Sequence, residues 1–253
     1  NGELPPNVMS KDVILRIIGD LTAAGATYRA LEFTGDTVEA MSLSSRMTMA
    51  NMGIEAGAKC ALFAPDEKTA EYLGIELTEA ERALAGDADA PCEKVLRYRA
   101  EDFVPVMALP SNVDHVAAIR DLEPVTIDQV FLGSCTNGRL EDLMAAAEIL
   151  KGKHIAPFVK LIVTPASRKI WEEAEANGTL ATLSAAGAMI THPSCGLCCG
   201  RTGGILSDGE RVVATNNRNF LGRMGSSKVE IYLASPKSAA ASALTGKLTE
   251  AAC

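Results

Sequence analysis

The sequence predicts an α/β protein in which helices cover both faces of mostly parallel sheets, a three-layer α/β/α arrangement. From residue 126 onward, short strand-forming segments alternate with segments whose apolar residues recur at helical spacing. Such alternation is typical of parallel sheets, because parallel strands are joined by helical connections. Hydrophobic residues make up 47% of the 253 residues and aromatic residues only 4%, so we expect a core of Ala, Leu, Ile and Val.

The N-terminal part of the chain begins with a predicted helix. Apolar residues at helical spacing follow Ser10, a typical N-cap residue, and continue to Leu21. Between residues 77 and 110 clear periodicity is lost. The patterns in this part predict a strand over 28–33, a turn at Gly35 and Asp36, a buried helix over 44–59, a strand over 60–65, a helix over 65–74 and a strand over 93–98.

The C-terminal part alternates more regularly. A polar, proline-bearing stretch over 109–125 precedes it, which predicts two domains, residues 1–110 and 111–253. The last helix has Ser235 as its expected N-cap and Pro236 at its first position. The predicted strands cover 128–133, 159–164, 188–191, 211–215 and 229–234, and the predicted helices cover 139–152, 167–178, 180–187 and 235–246.

Charge and composition exclude several classes of protein. The formal net charge of −8 argues against a nucleic-acid partner, because affinity for phosphate backbones depends on clustered Lys and Arg. No apolar run is long enough for a membrane span. Seven cysteines, an odd number, without a signal-like segment predict a reducing cytoplasm. The chain starts at Asn1 without methionine, which indicates a piece of a longer protein.

Three cysteines in glycine-rich loops are the most informative feature. Cys135 lies in FLGSCTNGR, and Cys195 and Cys198 form a C-x2-C pair in HPSCGLCCGRTGG, each loop following a predicted strand. Three thiolates can hold three irons of a four-iron cube and leave the fourth iron open to a substrate, which favours a [4Fe–4S] cluster in Lewis-acid chemistry. Three alternatives stay open: a zinc site that includes His192, a thioredoxin-like redox pair, and buried unreactive thiols.

The other cysteines are not expected to bind a cluster. Cys199 follows Cys198 directly, and adjacent side chains diverge, so we place Cys199 in the core together with Cys60. Cys92 and Cys253 have no recognisable context.

Two further groups of residues suit an anionic substrate. Asn51 and Glu55 are four residues apart on a predicted helix, which would put an amide and a carboxylate on one face. After the predicted strand 211–215, the segment NNRNFLGR carries Asn217, Arg218 and Arg223, and guanidinium groups bind carboxylates bidentately. The alternative for each group is an ordinary surface location. No nucleotide-binding motif is present.

Taken together, GSCTN, CGLC, NMGIE and NNRNFLGR resemble the aconitase superfamily, and within it the large subunits of its two-subunit members. The resemblance covers nearly the whole chain. It implies aconitase-like α/β domains, Cys135, Cys195 and Cys198 as cluster ligands, and Asn51 and Glu55 beside the cluster. It also implies that the segment containing Asn217, Arg218 and Arg223 contacts the substrate carboxylates and the cluster.

The resemblance further implies a hydro-lyase that isomerises a hydroxy di- or tricarboxylic acid. The favoured substrate is 3-isopropylmalate, an intermediate of leucine biosynthesis, while homocitrate, 2,3-dimethylmalate and citrate-like acids stay open. The family's DSH motif and its catalytic serine are absent from this chain. We therefore expect an N-terminal domain of the same protein and a small-subunit swivel domain as partners, and no activity from this piece alone. An RNA-binding iron sensor or a metal-stabilised structural module is the alternative of another class.

Overall fold

The computed structural model describes residues 1–87 and 89–252, so Cys253 lies outside the described residues. The predicted α/β class is confirmed. The strands are β1 (Ala30–Phe33), β2 (Cys60–Phe63), β3 (Val106–Ala108), β4 (Val116–Ala118), β5 (Gln129–Gly133), β6 (Lys160–Thr164), β7 (Met189–Ile190), β8 (Arg211–Ala214) and β9 (Glu230–Leu233). The α-helices are α1 (Ser10–Leu21), α2 (Asp36–Ala40), α3 (Leu43–Met52), α4 (Glu67–Leu73), α5 (Glu79–Arg82), α6 (Ser134–Asn137), α7 (Leu140–Leu150), α8 (Arg168–Ala176), α9 (Thr179–Ala185) and α10 (Pro236–Thr245).

The larger sheet has seven strands in the order β4-β3-β9-β8-β5-β6-β7. From β9 to β7 neighbouring strands are parallel, whereas β3 and β4 add an antiparallel edge. Strand β5 is buried along its whole length between β8 and β6. Because these strands are parallel, the loops that follow β5, β6 and β8 emerge at the same edge of the sheet, where α/β proteins place their ligands.

Helices cover both faces of this sheet. On one face α7, α9 and α10 pack over a core that contains Val130 and Leu132 of β5. On the other face α1 and α3 belong to a core that contains Phe131. Successive residues of β5 therefore enter two different cores, as expected of a strand that is buried on both sides.

Strands β1 and β2 form a separate two-stranded parallel sheet, in register from Ala30 opposite Cys60 to Phe33 opposite Phe63. The rings of Phe33 and Phe63 stack with centroids 5.1 Å apart. Alternate residues of β2 are exposed, and Cys60 is one of them. The prediction that Cys60 belongs to the core was therefore wrong.

The helix predicted over 44–59 changes character before its end. Helix α3 stops at Met52, and a tighter 3-10 turn over Gly53–Ala56 follows. The chain passes close to β2 here, since a Cβ added to Gly53 would lie 2.6 Å from the Ala61 Cβ. Asn51 is thus on the α-helix and Glu55 on the 3-10 turn, and the predicted common helical face was wrong.

Two local predictions near the N-terminus were also wrong. Residue Asp36 does not form a turn with Gly35 but begins α2. Helix α1 begins at Ser10 itself, with Met9 as its N-cap. The carboxylate of Asp12 accepts a hydrogen bond from the Met9 N–H at 2.8 Å, so an acidic side chain inside the first turn satisfies the helix end.

The strand predicted over 93–98 is not formed. Among the described residues, the one hydrogen bond to the backbone of 93–98 comes from the Asn1 amino group, which donates to the Tyr98 carbonyl at 2.9 Å. Just beyond this segment, the Ala100 N–H donates to the Asn1 carbonyl at 2.7 Å. A strand requires a ladder of such bonds, and one residue cannot supply it.

The division of the chain at residue 110 stays a prediction. Strands β3 and β4 lie on either side of this position and pair with each other. Within the described ranges, no helix combines the length and the apolar character that crossing a bilayer requires.

Candidate functional site

Two cysteine-bearing loops meet at the carboxyl end of β6. Cys135 lies in α6, which follows β5 directly, and Cys195 and Cys198 lie in the loop after β7. Both loops pack on Thr164, the last residue of β6, which is completely buried. The structure therefore brings together the two segments that the sequence predicts to share one site.

Glycines make this close approach possible. A Cβ added to Gly133 would lie 2.1 Å from the Thr164 carbonyl oxygen, and a Cβ added to Gly196 would lie 2.6 Å from the Thr164 hydroxyl oxygen. Both glycines have positive φ, +145° and +54°. Ser134 follows with φ +68°, which costs a residue with a side chain about 1 to 2 kcal/mol. The backbone before Cys135 thus has an intrinsically unfavourable conformation, which the surrounding fold must stabilise.

The thiols are close enough to influence one another. Cys135 and Cys195 are exposed, Cys198 is buried and Cys199 is partly buried. Partial burial of the sulfur, followed by negative charge on Cys135, Cys198 and Cys199, raises the pKa of the Cys195 thiol, while Arg223 opposes this rise. In the absence of a cation, thiolates this close together repel each other.

Nitrogen donors point at two of these sulfurs. The Asn51 amide donates to Cys135 Sγ at 3.5 Å. Cys198 Sγ accepts from the Asn216 amide at 3.7 Å and from Arg223 Nη2 at 3.6 Å. Hydrogen bonds to cysteine sulfur are one means by which proteins adjust an iron–sulfur cluster.

Glu55 lies at the centre of a second set of contacts. Its Oε1 accepts from Arg218 Nε at 2.8 Å and from the Asn217 amide at 3.0 Å. The Glu55 side chain is 10% exposed. Burial raises the pKa of Glu55 above its usual range, although Arg218 and Asn217 favour the charged form. The Cys198 thiol in turn lies 3.9 Å from Asn217 Oδ1, which connects this set to the cysteines.

Arg223 is directed toward the cysteine loop. Its Nε donates to the Cys198 carbonyl at 2.7 Å, and its guanidinium lies over the ring of Phe220. Arg223 thus fixes the loop of the C-x2-C pair, and its contact with a substrate carboxylate stays a prediction.

Sequence reasoning missed three residues of this region: Thr164, Asn216 and Lys11. Lys11 is completely buried under the segment after β8, and its Nζ donates to the carbonyls of Thr215 at 2.8 Å and Asn216 at 2.6 Å. Lys11 lies two residues before the apolar run VILRII, in an amphipathic helix where a lysine is normally at the surface, so the sequence gives no signal of its burial. Thr164 and Asn216 carry no signal either, because their importance comes from contacts between distant segments.

The residues fit an iron–sulfur cube better than a single ion. Among the described residues, no three His, Cys, Asp or Glu side chains are arranged to hold one metal ion, and His192 is exposed. A zinc ion needs all its donors at about 2.0–2.3 Å from one centre, whereas the thiolates of a cube bind different irons. The three thiols lie on two glycine-lined loops, and N–H donors are directed at two of their sulfurs, as expected for the ligands of an iron–sulfur cube.

Comparisons with known proteins agree on one family. A profile of the Aconitase family (aconitate hydratase) matches residues 1–126 and 120–246. The chain is 48% identical over 249 residues to "3-isopropylmalate dehydratase large subunit 1" of Methanopyrus kandleri, a match that covers 98% of the chain and 60% of the relative. It is 48% identical over 255 residues to the "3-isopropylmalate dehydratase large subunit" of Wolinella succinogenes, covering 98% of the chain and 60% of the relative.

A third relative, "3-isopropylmalate dehydratase large subunit 1" of Pyrococcus furiosus, is 47% identical over 249 residues, again 98% of the chain and 59% of the relative. The chain therefore spans about 60% of the length of the curated relatives that it matches.

Proposed function

Because this chain belongs to the aconitase family, we propose that it forms the cluster-bearing part of a hydro-lyase whose substrate is 3-isopropylmalate. The printed names of its relatives support this substrate. The observation that carries the proposal is the convergence of both cysteine loops on Thr164, next to a carboxylate and two arginines.

Cys135, Cys195 and Cys198 would hold a [4Fe–4S] cluster. When bound, the cluster would supply an open iron as a Lewis acid for the substrate hydroxyl group. The Asn51 amide orients Cys135 through its hydrogen bond to Sγ, and Asn216 and Arg223 do the same for Cys198.

Glu55 would exchange a proton with the departing or returning hydroxyl. Burial raises its pKa above its usual range, which brings a carboxyl group closer to the pH at which it can both give and take a proton. Asn217 and Arg218 both donate to Oε1 and so fix the direction of this carboxyl group.

Arg218 would change partner when a substrate binds. Its side chain is 36% exposed and pairs with Glu55, so one edge of the guanidinium is accessible to an incoming carboxylate. Asn217 would complete this carboxylate site from the same segment.

The chain needs partners for activity. Since it spans about 60% of its relatives, whose names describe a large subunit, we expect the N-terminal domain of the same protein and a small-subunit swivel domain to complete the site. The free thiols described here suit a reducing cytoplasm.

The test uses the full-length protein with its small subunit, reconstituted with iron and sulfide without oxygen. Addition of 3-isopropylmalate should give the ultraviolet absorbance of an unsaturated dicarboxylate. Homocitrate, 2,3-dimethylmalate and citrate serve as competing substrates under the same conditions. Faster turnover of one of these would refute the proposed substrate, and no turnover of any of them by a cluster-loaded protein would refute the hydro-lyase.

A further inference from the structure

Lys11 is a buried cation that the proposed mechanism does not use. It is the second residue of α1, and its side chain is completely inaccessible to solvent. Its Nζ donates to two consecutive carbonyls, those of Thr215 and Asn216, at 2.8 and 2.6 Å. A lysine is almost never fully buried without a partner of opposite charge, because removing an ammonium group from water costs several kcal/mol.

Among the described residues, no carboxylate forms an ion pair with Lys11. The ion pairs with a buried or half-buried member among the described residues include Arg46 with Asp66 and Arg218 with Glu55, and none of them contains Lys11. Asp12, its neighbour in sequence, uses its carboxylate oxygens for the N–H groups of Met9 and Val106.

The two carbonyls that Lys11 holds belong to residues that contact both cysteine loops. The Thr215 hydroxyl accepts from the Gly133 N–H at 2.9 Å, two residues before Cys135. The Asn216 amide donates to Cys198 Sγ at 3.7 Å. The Asn216 Oδ1 is buried and has no hydrogen-bond partner among the described residues. The Lys11 ammonium group therefore binds the peptide that links Thr215, which contacts the loop of Cys135, to Asn216, which contacts Cys198.

We propose that Lys11 is a positioning residue of the cluster site: it fixes the Thr215–Asn216 peptide and provides the buried positive charge that balances the anionic, cysteine-bound cluster. This rests on the proposed cluster. Burial lowers the pKa of Lys11 to about 7, and the negative charges that oppose this are, in order, Asp142, Cys198, Asp12 and Glu55. A cluster held by three thiolates adds negative charge on the Cys198 side and so favours the protonated lysine.

The test measures the reduction potential of the cluster in the reconstituted full-length protein. A positive charge stabilises the reduced cluster, which is the more negative form, so its removal lowers the potential. In Lys11→Met we expect at least a tenfold change in the ratio of reduced to oxidised cluster at a fixed potential, a shift of 59 mV for one electron. Lys11→Gln keeps an N–H donor for the same carbonyls and should shift similarly, whereas Lys11→Arg should stay near the wild type.

Lys237→Met is the matched control, because Lys237 also donates to a backbone carbonyl, that of Pro6, but this hydrogen bond is exposed and joins no residue of the two cysteine loops. Shifts below tenfold in both neutral variants, or an equal shift in the control, would overturn the proposal. If neither neutral variant takes up iron while Lys11→Arg does, the charge requirement is supported; if all three fail, Lys11 serves folding only. A wild-type protein without a cluster would instead refute the proposed function.

Discussion

Two buried regions of this molecule differ in how their charges are balanced. Near the start of α3, the guanidinium of Arg46 donates to the carbonyls of Val38 and Glu39 and pairs with the Asp66 carboxylate at 2.6 Å. Beneath the segment after β8, Lys11 is just as buried, but within the described part of the chain it donates to backbone carbonyls only.

This comparison separates a region whose buried charge is balanced by the chain itself from a region whose buried charge requires a bound group. The Arg46 guanidinium has a carboxylate partner, Asp66, within the chain. Around the cysteines, burial and the neighbouring thiols raise the pKa of Cys195. Among the described residues, Asn216 Oδ1 has no hydrogen-bond donor and Lys11 has no carboxylate partner. An anionic cluster with cysteine ligands would balance the positive charge of Lys11 without any change around Arg46.

The largest effect is expected for Cys135→Ala. Removal of one of three protein ligands should abolish stable cluster binding, because only two thiols would remain. Iron and sulfide analysis after anaerobic reconstitution measures this. Cys92→Ala is the control, because Cys92 is exposed and lies outside the two loops. A stable cluster in Cys135→Ala would contradict the role of Cys135 as a ligand, and with it the claim that the cysteine region requires a cluster.

Glu55→Gln should impair catalysis without affecting folding. Loss of a general acid or base lowers kcat about 10² to 10⁴-fold, whereas glutamine keeps a side-chain oxygen that can accept hydrogen bonds from Asn217 and Arg218, so the fold should be retained. Steady-state kinetics of the complete enzyme and urea unfolding of the same protein measure the two effects. A loss of kcat that follows the loss of stability would indicate a structural role instead.

Arg46→Met should lower stability and leave the cluster unaffected, the reverse of Glu55→Gln. It removes three hydrogen bonds, to the carbonyls of Val38 and Glu39 and to the Asp66 carboxylate, so the free energy of unfolding should fall by about 2 to 4 kcal/mol. The reduction potential of the cluster should not change. Urea unfolding and a redox titration test the two statements, and a shifted potential would mean that the regions are not independent.

The last effect depends on pH and concerns Asp142, the carboxylate with the strongest influence on Lys11. Burial raises the pKa of Asp142 from 3.8 to about 7, against hydrogen bonds from Asn137 and the Arg139 N–H. Because the folded-state pKa is the higher one, this group contributes stability below pH 3.8 that is lost as the pH rises through about 7. Asp142→Asn should therefore flatten the fall of unfolding free energy between pH 4 and 7 in the cluster-free protein. Asp121→Asn, at an exposed position, should leave it unchanged.

Much of the fold follows from local patterns in the sequence. Strand–helix alternation after residue 126 gave the parallel sheet, and the segments 128–133 and 159–164 correspond to β5 and β6. The strand predicted over 93–98 failed because a strand depends on a partner, which the pattern of one segment does not reveal. Helix 44–59 failed at Gly53 because its close contact with Ala61 is a tertiary feature.

The site was predictable where chemistry is carried by residue type. Cysteines in glycine-rich loops and arginines after a strand indicate metal and carboxylate chemistry. The structure brings Asn51 into contact with Cys135 and Arg218 into contact with Glu55. The roles of these residues stay predictions. Lys11 was not predictable, because a lysine in an amphipathic helix is normally at the surface, and only the packing of α1 under the segment after β8 places it beneath the site.

The most direct measurement is electron paramagnetic resonance of the anaerobically reconstituted protein before and after mild oxidation. A cube with one iron lacking a protein ligand should lose that iron and give a three-iron signal, with the iron content falling by one per cluster. A protein that binds zinc in preference to iron, or that keeps four irons after oxidation, would contradict the central claim that the loops of Cys135 and of Cys195 and Cys198 hold a cluster with one open iron.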